Sequence, residues 1–375
     1  MDPSLIVVVV IIAALAFDFT NGFHDTANAM ATSIATGALR PKVAVAISAV
    51  LNLVGAFLSI EVAKTISGGI VDDAKVTPVV VFAGLIGAIV WNLLTWLLGL
   101  PSSSSHALFG GLIGATWIAS GADAVHFSAV VGKILIPAVA SPLVAGAVAI
   151  AGTFLVYKIT ASARQDVVSR SFKTAQALSA SLVSLAHGTN DAQKTMGVIT
   201  LTLISSGSLA AGSSPPVWVI LTAGAAIAAG TYFGGWRIIQ TMGKKITEIQ
   251  TPQGFAAETS AAVTILASSH LGFALSTTHV CSGGIIGSGV GRKLAEVRWG
   301  VAGRMALAWL VTLPAAAIVG AIASEVSSQG SIGTILVGAA GVVIGLVIYL
   351  WSRRHPVTSA NVNETEQQQP VPATV

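Results

Sequence analysis

Two aspartates, Asp25 and Asp191, stand in text otherwise almost free of charge, and each lies among amides. The first belongs to Asn21-Gly-Phe-His-Asp-Thr-Ala-Asn-Ala-Met30, the second to His187-Gly-Thr-Asn-Asp-Ala-Gln-Lys-Thr-Met196. A carboxylate inside a membrane costs about 2.5–3.5 kcal/mol on insertion scales and is a functional candidate by default. Carboxylate, amide oxygen and freed backbone carbonyl suit a hard cation, and the same carboxylate can carry a proton. A helix cap at a membrane edge is the plain alternative, and it leaves the pairing unexplained.

Two other runs are rich in hydroxyls: Ser102 to Ser105, following Pro101, and Ser276 to Thr278. Proline favours a helix start, and serines at a helix N-terminus leave backbone N–H groups facing outward toward an anion. Hydroxyls add donors without a fixed charge. Runs of Ser, Thr and Gly also serve as packing surfaces in membranes. Here, however, both runs end in a hydroxyl residue followed by histidine (His106, His279), with Gly-Gly four residues later. Carboxylates repel a bare oxyanion but accept a hydrogen bond from a protonated one. Phosphate keeps an O–H at neutral pH and sulfate has none, so the combination favours phosphate, with arsenate as a competitor. Neither run carries an arginine, which fits a ligand that must be released. Lys194 is the one fixed cation adjacent, long enough to snorkel to an interface. The nucleophile motif Gly-x-Ser-x-Gly does not surround Ser102 to Ser105, so no enzyme is expected.

These residues recur in order. Gly22, Asp25 and Met30 match Gly188, Asp191 and Met196 at an offset of 166. Gly99, Ser103, His106, Gly110, Gly111 and Gly114 match Gly272, Ser276, His279, Gly283, Gly284 and Gly287 at an offset of 173. The chain is therefore a duplication. Only 9% of its 375 residues are charged and 54% are hydrophobic, against about 25% charged in soluble domains. Uncharged apolar runs such as Val79 to Leu100 match the roughly 20 residues a membrane-spanning helix needs. The expected fold is an all-α polytopic membrane protein of 10–12 spans. Its coarse spans are 4–39 and 176–206, both broken at the polar motifs, with 43–62, 79–99, 104–120, 130–157, 217–240, 256–274, 277–291, 300–324 and 331–351. Five spans per copy make the second copy enter from the opposite side. Two inverted-topology repeats with broken or re-entrant helices at the midplane are the mark of secondary transporters.

The expected organisation is a first repeat over 1–157, a cytoplasmic connecting loop over 158–175, a second repeat over 176–325, an additional span over 326–354 and a disordered tail over 355–375. Basic clusters at Arg40/Lys42, Lys158/Arg164/Arg170/Lys173, Arg237/Lys244/Lys245, Arg292/Lys293/Arg298 and Arg353/Arg354 fall on one side in this count. They place the N-terminus outside and the C-terminus in the cytoplasm. With basic residues dispersed in short loops, no nucleic-acid partner is expected. A single cysteine, Cys281, allows no intrachain disulfide.

At Gly22-Phe-His-Asp-Thr-Ala-Asn-Ala, Leu100-Pro-Ser-Ser-Ser-Ser-His, His187-Gly-Thr-Asn-Asp-Ala-Gln-Lys-Thr-Met-Gly, Gly235-Trp-Arg-Ile-Ile-Gln-Thr-Met-Gly, Gly254-Phe-Ala-Ala-Glu-Thr-Ser and Ser276-Thr-Thr-His, the chain resembles the inorganic phosphate transporter (PiT) family. The resemblance implies symport of phosphate with sodium or protons through inverted repeats, commonly as a homodimer, without a cofactor. It implies that Ser103, Ser104, Ser105, Ser276, Thr277 and Thr278 contact phosphate, with Gln193. It assigns the coupling ion or proton to Asp25, Asn28, Asn190 and Asp191. No dedicated metal ligand follows from it.

The departures from that pattern matter. Sodium-dependent relatives carry Asn-Asp in both motifs, whereas here His24 precedes Asp25, and Asn52 and Lys64 stand where acidic residues are usual. Losing hard oxygens weakens a sodium site, and His24 adds a group with an ordinary pKa near 6.5. Proton coupling is the expectation, with a sodium-coupled phosphate symporter, or a carrier for another oxyanion such as sulfate, as the alternative. In this the chain resembles the bacterial low-affinity branch, whose substrate is often a neutral metal–phosphate complex. His106 and His279 are expected to orient the hydroxyl runs, and Glu258 is either a proton-path residue or a helix N-terminal charge.

Overall fold

The structure, a computed structural model, describes residues 2–292 and 297–364. Each copy begins with a long helix, α1 (Pro3–Ala35) and α7 (Gln165–Ser205). Then come α2 (Pro41–Gly55) with α3 (Glu61–Gly69), and α8 (Val217–Phe233) with α9 (Trp236–Lys245). Next are α4 (Pro78–Leu97) and α10 (Thr251–His270), then α5 (Ser104–Ser120) and α11 (Thr277–Arg292). The copies close with α6 (Phe127–Ile159) and α12 (Trp299–Ser327), and α13 (Ser331–Ser352) follows.

Local sequence fixes these boundaries. Prolines at the first or second position start α1, α2, α4 and α10, where their missing N–H costs nothing. Gly99 and Gly272, equivalent in the two copies, both adopt positive φ, at 63° and 74°, and turn the chain just before α5 and α11. Both short helices therefore start inside the protein, with Ser103–Ser105 and Ser276–Thr278 buried. α8 and α9 bend by 62° across Gly234-Gly235.

Packing pairs the copies in parallel ways. α12 crosses α5 as α6 crosses α11, and α8 runs along α1 as α2 runs along α7. Close approach requires glycine at these crossings: a Cβ on Gly110 would overlap the carbonyl oxygen of Leu313, and one on Gly283 that of Pro142. Small residues let helix backbones touch where lipid offers no hydrophobic drive. The outer faces of α6, α12 and α13 expose Val139, Leu143, Ile318, Ile322, Val342 and Leu346, as a lipid-facing surface does. Five helices (α1, α4, α6, α12 and α13) are long and apolar enough to span a membrane, and the bent pair α8–α9 makes a sixth.

The expected breaks in spans 4–39 and 176–206 are absent. α1 and α7 run unbroken through both polar motifs. Their polar residues bond into the helix itself, as Thr26 Oγ1 does to Gly22 O at 2.6 Å and Gln193 Nε2 to Thr189 O, so the carbonyls stay in the ladder. Span 43–62 divides into α2 and the separate α3. The connecting loop shrinks to 160–164 because α7 already begins at Gln165.

The tail also departs from expectation. Residues 355–364 fold back over the protein. Arg237 Nη2 donates to Ser352 O at 2.8 Å and to His355 O at 2.5 Å, Gln240 Nε2 donates to Glu364 O at 2.9 Å, and Val362 is buried. The segment carries its own turn, with Thr358 N donating to Asn361 Oδ1 at 2.7 Å, and one apolar side chain to anchor it. Lys293 and the tail from 365 to 375 lie outside the described residues. Lys244 Nζ reaches Ala35 O at 3.0 Å and Arg298 Nη1 reaches Lys244 O at 2.7 Å. The ends of α1 and α13, α9 and the start of α12 thus meet on one face.

Candidate substrate site

α1 and α7 bring Asp25 and Asp191 to a common centre, and the starts of α5 and α11 close on it. Asp25 is 2% exposed and Asp191 is fully buried. Ser104 Oγ donates to Asp25 Oδ1 at 3.3 Å, and Thr278 Oγ1 donates to the same oxygen at 3.4 Å. Thr277 Oγ1 lies 3.4 Å from both Asp25 Oδ2 and Asp191 Oδ2. Hydroxyls from both repeated runs thus converge on carboxylates from both repeated motifs. These contacts sit at the long end of hydrogen-bond range.

Ser103 and Ser276 have another task. Each caps its helix, accepting from the backbone N–H three residues on: His106 N at 3.1 Å and His279 N at 3.3 Å. The next two N–H groups of each helix have no intrahelical acceptor, as at any helix start. His106 and His279 meet edge to face, 4.8 Å between centroids. His279 Nδ1 is 3.1 Å from Ala138 O, and its ring lies against Trp309. The histidines thus tie the starts of α5 and α11 to each other and to α6 and α12, outside the ring of hydroxyls.

The carboxylates have different company. His24 Nδ1 lies 2.7 Å from Asp25 Oδ1. Nε2 faces Thr95 Oγ1 at 3.2 Å and Ser102 Oγ at 3.3 Å. A hydroxyl can donate or accept, so either charge state of His24 finds a partner here. Asp191 Oδ1 instead receives the Lys194 ammonium at 2.5 Å. Lys194 is fully buried, and its other donors go to Ser105 Oγ at 2.5 Å and Leu275 O at 3.1 Å. This corrects the expectation that it could snorkel: all three of its hydrogens are used inside. His187 Nε2 lies 3.3 Å from Asp191 Oδ2, and its Nδ1 is 3.1 Å from Asn52 Oδ1. Ligand atoms of Asp25, His187 and Asp191 fall within 4.8 Å of one another, but the ammonium already supplies the cation there.

Asn28 Nδ2 donates to Thr277 and Thr278 at 3.2 and 3.1 Å, leaving its buried Oδ1 unpartnered. Asn190 Nδ2 donates to Ser269 Oγ at 2.9 Å, and its Oδ1 is likewise unpartnered. Gln193, like Ser103 and Ser276, serves as a cap. Its Oε1 caps α3, accepting from Val62 N at 2.9 Å and Ala63 N at 3.3 Å. Three residues after Asn190 on a helix, it faces a different neighbour. Glu258 is no exposed helix-end charge: Thr32 and Ser179 hydroxyls at 2.5 Å and Gln176 Nε2 at 3.1 Å bind its buried carboxylate. Asp18, fully buried on α1, escaped the sequence reading although it is a lone charge in an apolar run.

A sequence model of the Phosphate transporter family matches residues 21–320. A Mycobacterium bovis protein described as "Probable low-affinity inorganic phosphate transporter" is 58% identical over 361 residues, 96% of this chain and 87% of that protein. A Bacillus subtilis protein of the same description is 42% identical, covering 86% of this chain and 98% of its own. Among solved structures, one described as "The sodium-dependent phosphate transporter" matches with a TM-score of 0.73 at 26% identity, over 87% of this chain and 99% of that one.

Proposed function

We propose that this chain, which belongs to the phosphate transporter family and is a multi-pass membrane protein with inorganic phosphate as its substrate, imports that phosphate by proton symport. The observation that carries the reading is the convergence of two hydroxyl-bearing helix starts on two buried aspartates. A phosphate entering between them takes hydroxyls Ser104, Ser105, Thr277 and Thr278 and the free N–H groups of α5 and α11. Its own O–H donates to Asp25, which sulfate cannot do. Ser103 and Ser276 hold the helix starts in place, and Gln193 is left out.

Proton coupling is supported by what sits beside each carboxylate. A sodium ion at Asp191 would have to displace a tethered ammonium. At Asp25 the neighbour is His24, which finds a partner whether neutral or charged. Asn28 and Asn190 each keep one free amide oxygen, acceptors for a phosphate O–H or for the metal of a neutral metal–phosphate complex. Equivalent residues meeting beside the centre, His106 on His279, favour inverted repeats about a twofold. Arg237, Lys244 and Arg298, gathered on one face beside the ends of α1 and α13, favour a cytoplasmic C-terminus.

Sodium symport is the second reading, favoured by the solved neighbour's description. Radiolabelled phosphate uptake into proteoliposomes, under a sodium gradient and then a pH gradient, separates the two. Uptake that follows the pH gradient without sodium is expected, and uptake that follows sodium alone would end the proton reading.

A further inference from the structure

We infer that Asp18 carries the coupling proton, at a site of its own seven residues from Asp25 toward the start of α1. This rests on the proton-coupled reading above. Seven residues of helix put it about 10 Å along the axis from the central aspartate, and it is fully buried.

Its surroundings are short of hydrogen. Neither carboxylate oxygen of Asp18 receives a well-formed hydrogen bond, although Asn21 and Thr195 lie beside it with hydrogens to offer. Its polar neighbours are Asn21, one turn on along α1, and Thr195 on α7. Asn21 Oδ1 and Thr195 Oγ1 are themselves buried without a partner. A buried carboxylate with no ion pair and only these two poorly placed donors is held against a large desolvation cost, which a bound proton removes. One proton answers all the vacancies together: the Asp18 O–H donates to Asn21 Oδ1, and the Thr195 hydroxyl donates to the second carboxyl oxygen. The charged groups that face Asp18 are Asp191 and Lys194 of α7. Lys194 is committed to Asp191, Ser105 and Leu275 and offers Asp18 no hydrogen. Of the elements packed on α1 beside it, α4 has no titratable residue and α8 only the exposed Tyr232.

Asn21 also links this carboxyl to the centre. Its Nδ2 donates to Asp191 Oδ2 at 3.4 Å, so the chain Asp18–Asn21–Asp191 joins the proton site to the substrate site. Glu258 shows the opposite design. It lies beside Thr32, seven residues beyond Asp25 the other way, and three donors cap its carboxylate. In the cycle, Asp18 takes a proton from the side facing the start of α1, forming one O–H bond. The closed, neutral state moves, and the same O–H bond breaks to the other side as phosphate leaves.

The test uses the full chain in proteoliposomes, with phosphate counterflow (equal pH on both sides) and pH-driven accumulation measured side by side. One pH unit is worth a factor of about ten in concentration per proton carried. Asp18→Asn, which mimics the neutral acid, is expected to keep counterflow within about twofold of the unsubstituted chain and to lose that roughly tenfold accumulation. Asp18→Glu is expected to restore it. An infrared carboxylic C=O band that disappears in Asp18→Asn gives a readout independent of transport. Asp18→Asn that still accumulates phosphate on a pH gradient overturns this assignment alone. An unsubstituted chain driven only by sodium overturns the proton reading and this assignment with it.

Discussion

Asp25 and Asp191 hold equivalent positions in the two copies and each has a histidine beside it, His24 and His187, yet only Asp191 also has a lysine. The Lys194 ammonium sits 2.5 Å from Asp191, fully buried, with its three hydrogens used. His24, 2.7 Å from Asp25, has the Thr95 and Ser102 hydroxyls at its other nitrogen. Duplication supplies two like carboxylates, and divergence of one neighbouring side chain in each gives them different work. One copy holds a permanent ion pair that fixes the centre. The other keeps a carboxylate whose neighbour is an imidazole backed by two hydroxyls.

The harshest break of this contrast is Asp191→Asn. It strands a buried ammonium, at a cost of about 3–5 kcal/mol. The expected outcome is loss of folded protein, read as a collapse of the thermal midpoint in detergent. Asp191→Asn combined with Lys194→Met removes both charges and is expected to recover most of that stability without recovering transport. Equal stability of the single and double variants would show that the pair is not the fixed element. Asp25→Asn should behave differently, since no ammonium depends on it: phosphate uptake falls about 10- to 100-fold, the worth of a hydrogen bond to a charged group, while the thermal midpoint stays near that of the unsubstituted chain. A folding loss as large as that of Asp191→Asn would erase the distinction between the copies.

Lys194→Gln probes the same contrast from the cation's side. Without the ammonium, Asp191 has a vacancy that an exchangeable cation can fill. Sodium chloride is then expected to raise the thermal midpoint over choline chloride at equal ionic strength, by about 1–2 kcal/mol of linkage once sodium exceeds its dissociation constant severalfold. The unsubstituted chain should show no such difference.

Much of this site was legible as text because its parts are repeated. Asp25 with Asp191, and Ser104-Ser105 with Thr277-Thr278, stand out as doubled polar runs in apolar surroundings, and membrane burial makes each one costly to keep. What periodicity could not give was the partner. Asn190 and Gln193 look like one ligand set in sequence, and i, i+3 spacing keeps them on neighbouring faces of α7, but Gln193 Oε1 is taken by the N–H groups that open α3. Polar motifs suggested broken helices, yet side chains that bond back to their own helix let α1 and α7 pass through unbroken. Asp18 was visible as a lone acid and passed over because it has no twin: its equivalent at an offset of 166 is Ser184. The folded segment 355–364 was illegible for another reason, since composition reports average polarity and not a single anchoring Val362.

The smallest effect belongs to Gln193, and it tests whether the centre ends where the geometry ends it. The Gln193 side chain accepts from two N–H groups at the start of α3 and donates back to its own helix, which is the work of a cap. Gln193→Ala therefore leaves two buried donors without an acceptor but touches no group that faces Asp25 or Asp191. The expected cost is about 1 kcal/mol of stability, as for other lost N-caps, with the KM for phosphate unchanged. A Gln193→Glu variant keeps the acceptor and adds charge at the positive end of α3, so it should retain the stability that alanine loses. If instead Gln193→Ala raised KM severalfold at unaltered stability, the residue would belong with the hydroxyls of α5 and α11. The substrate site would then extend past α7 to α3, and the second copy would bind phosphate through more than its ion pair.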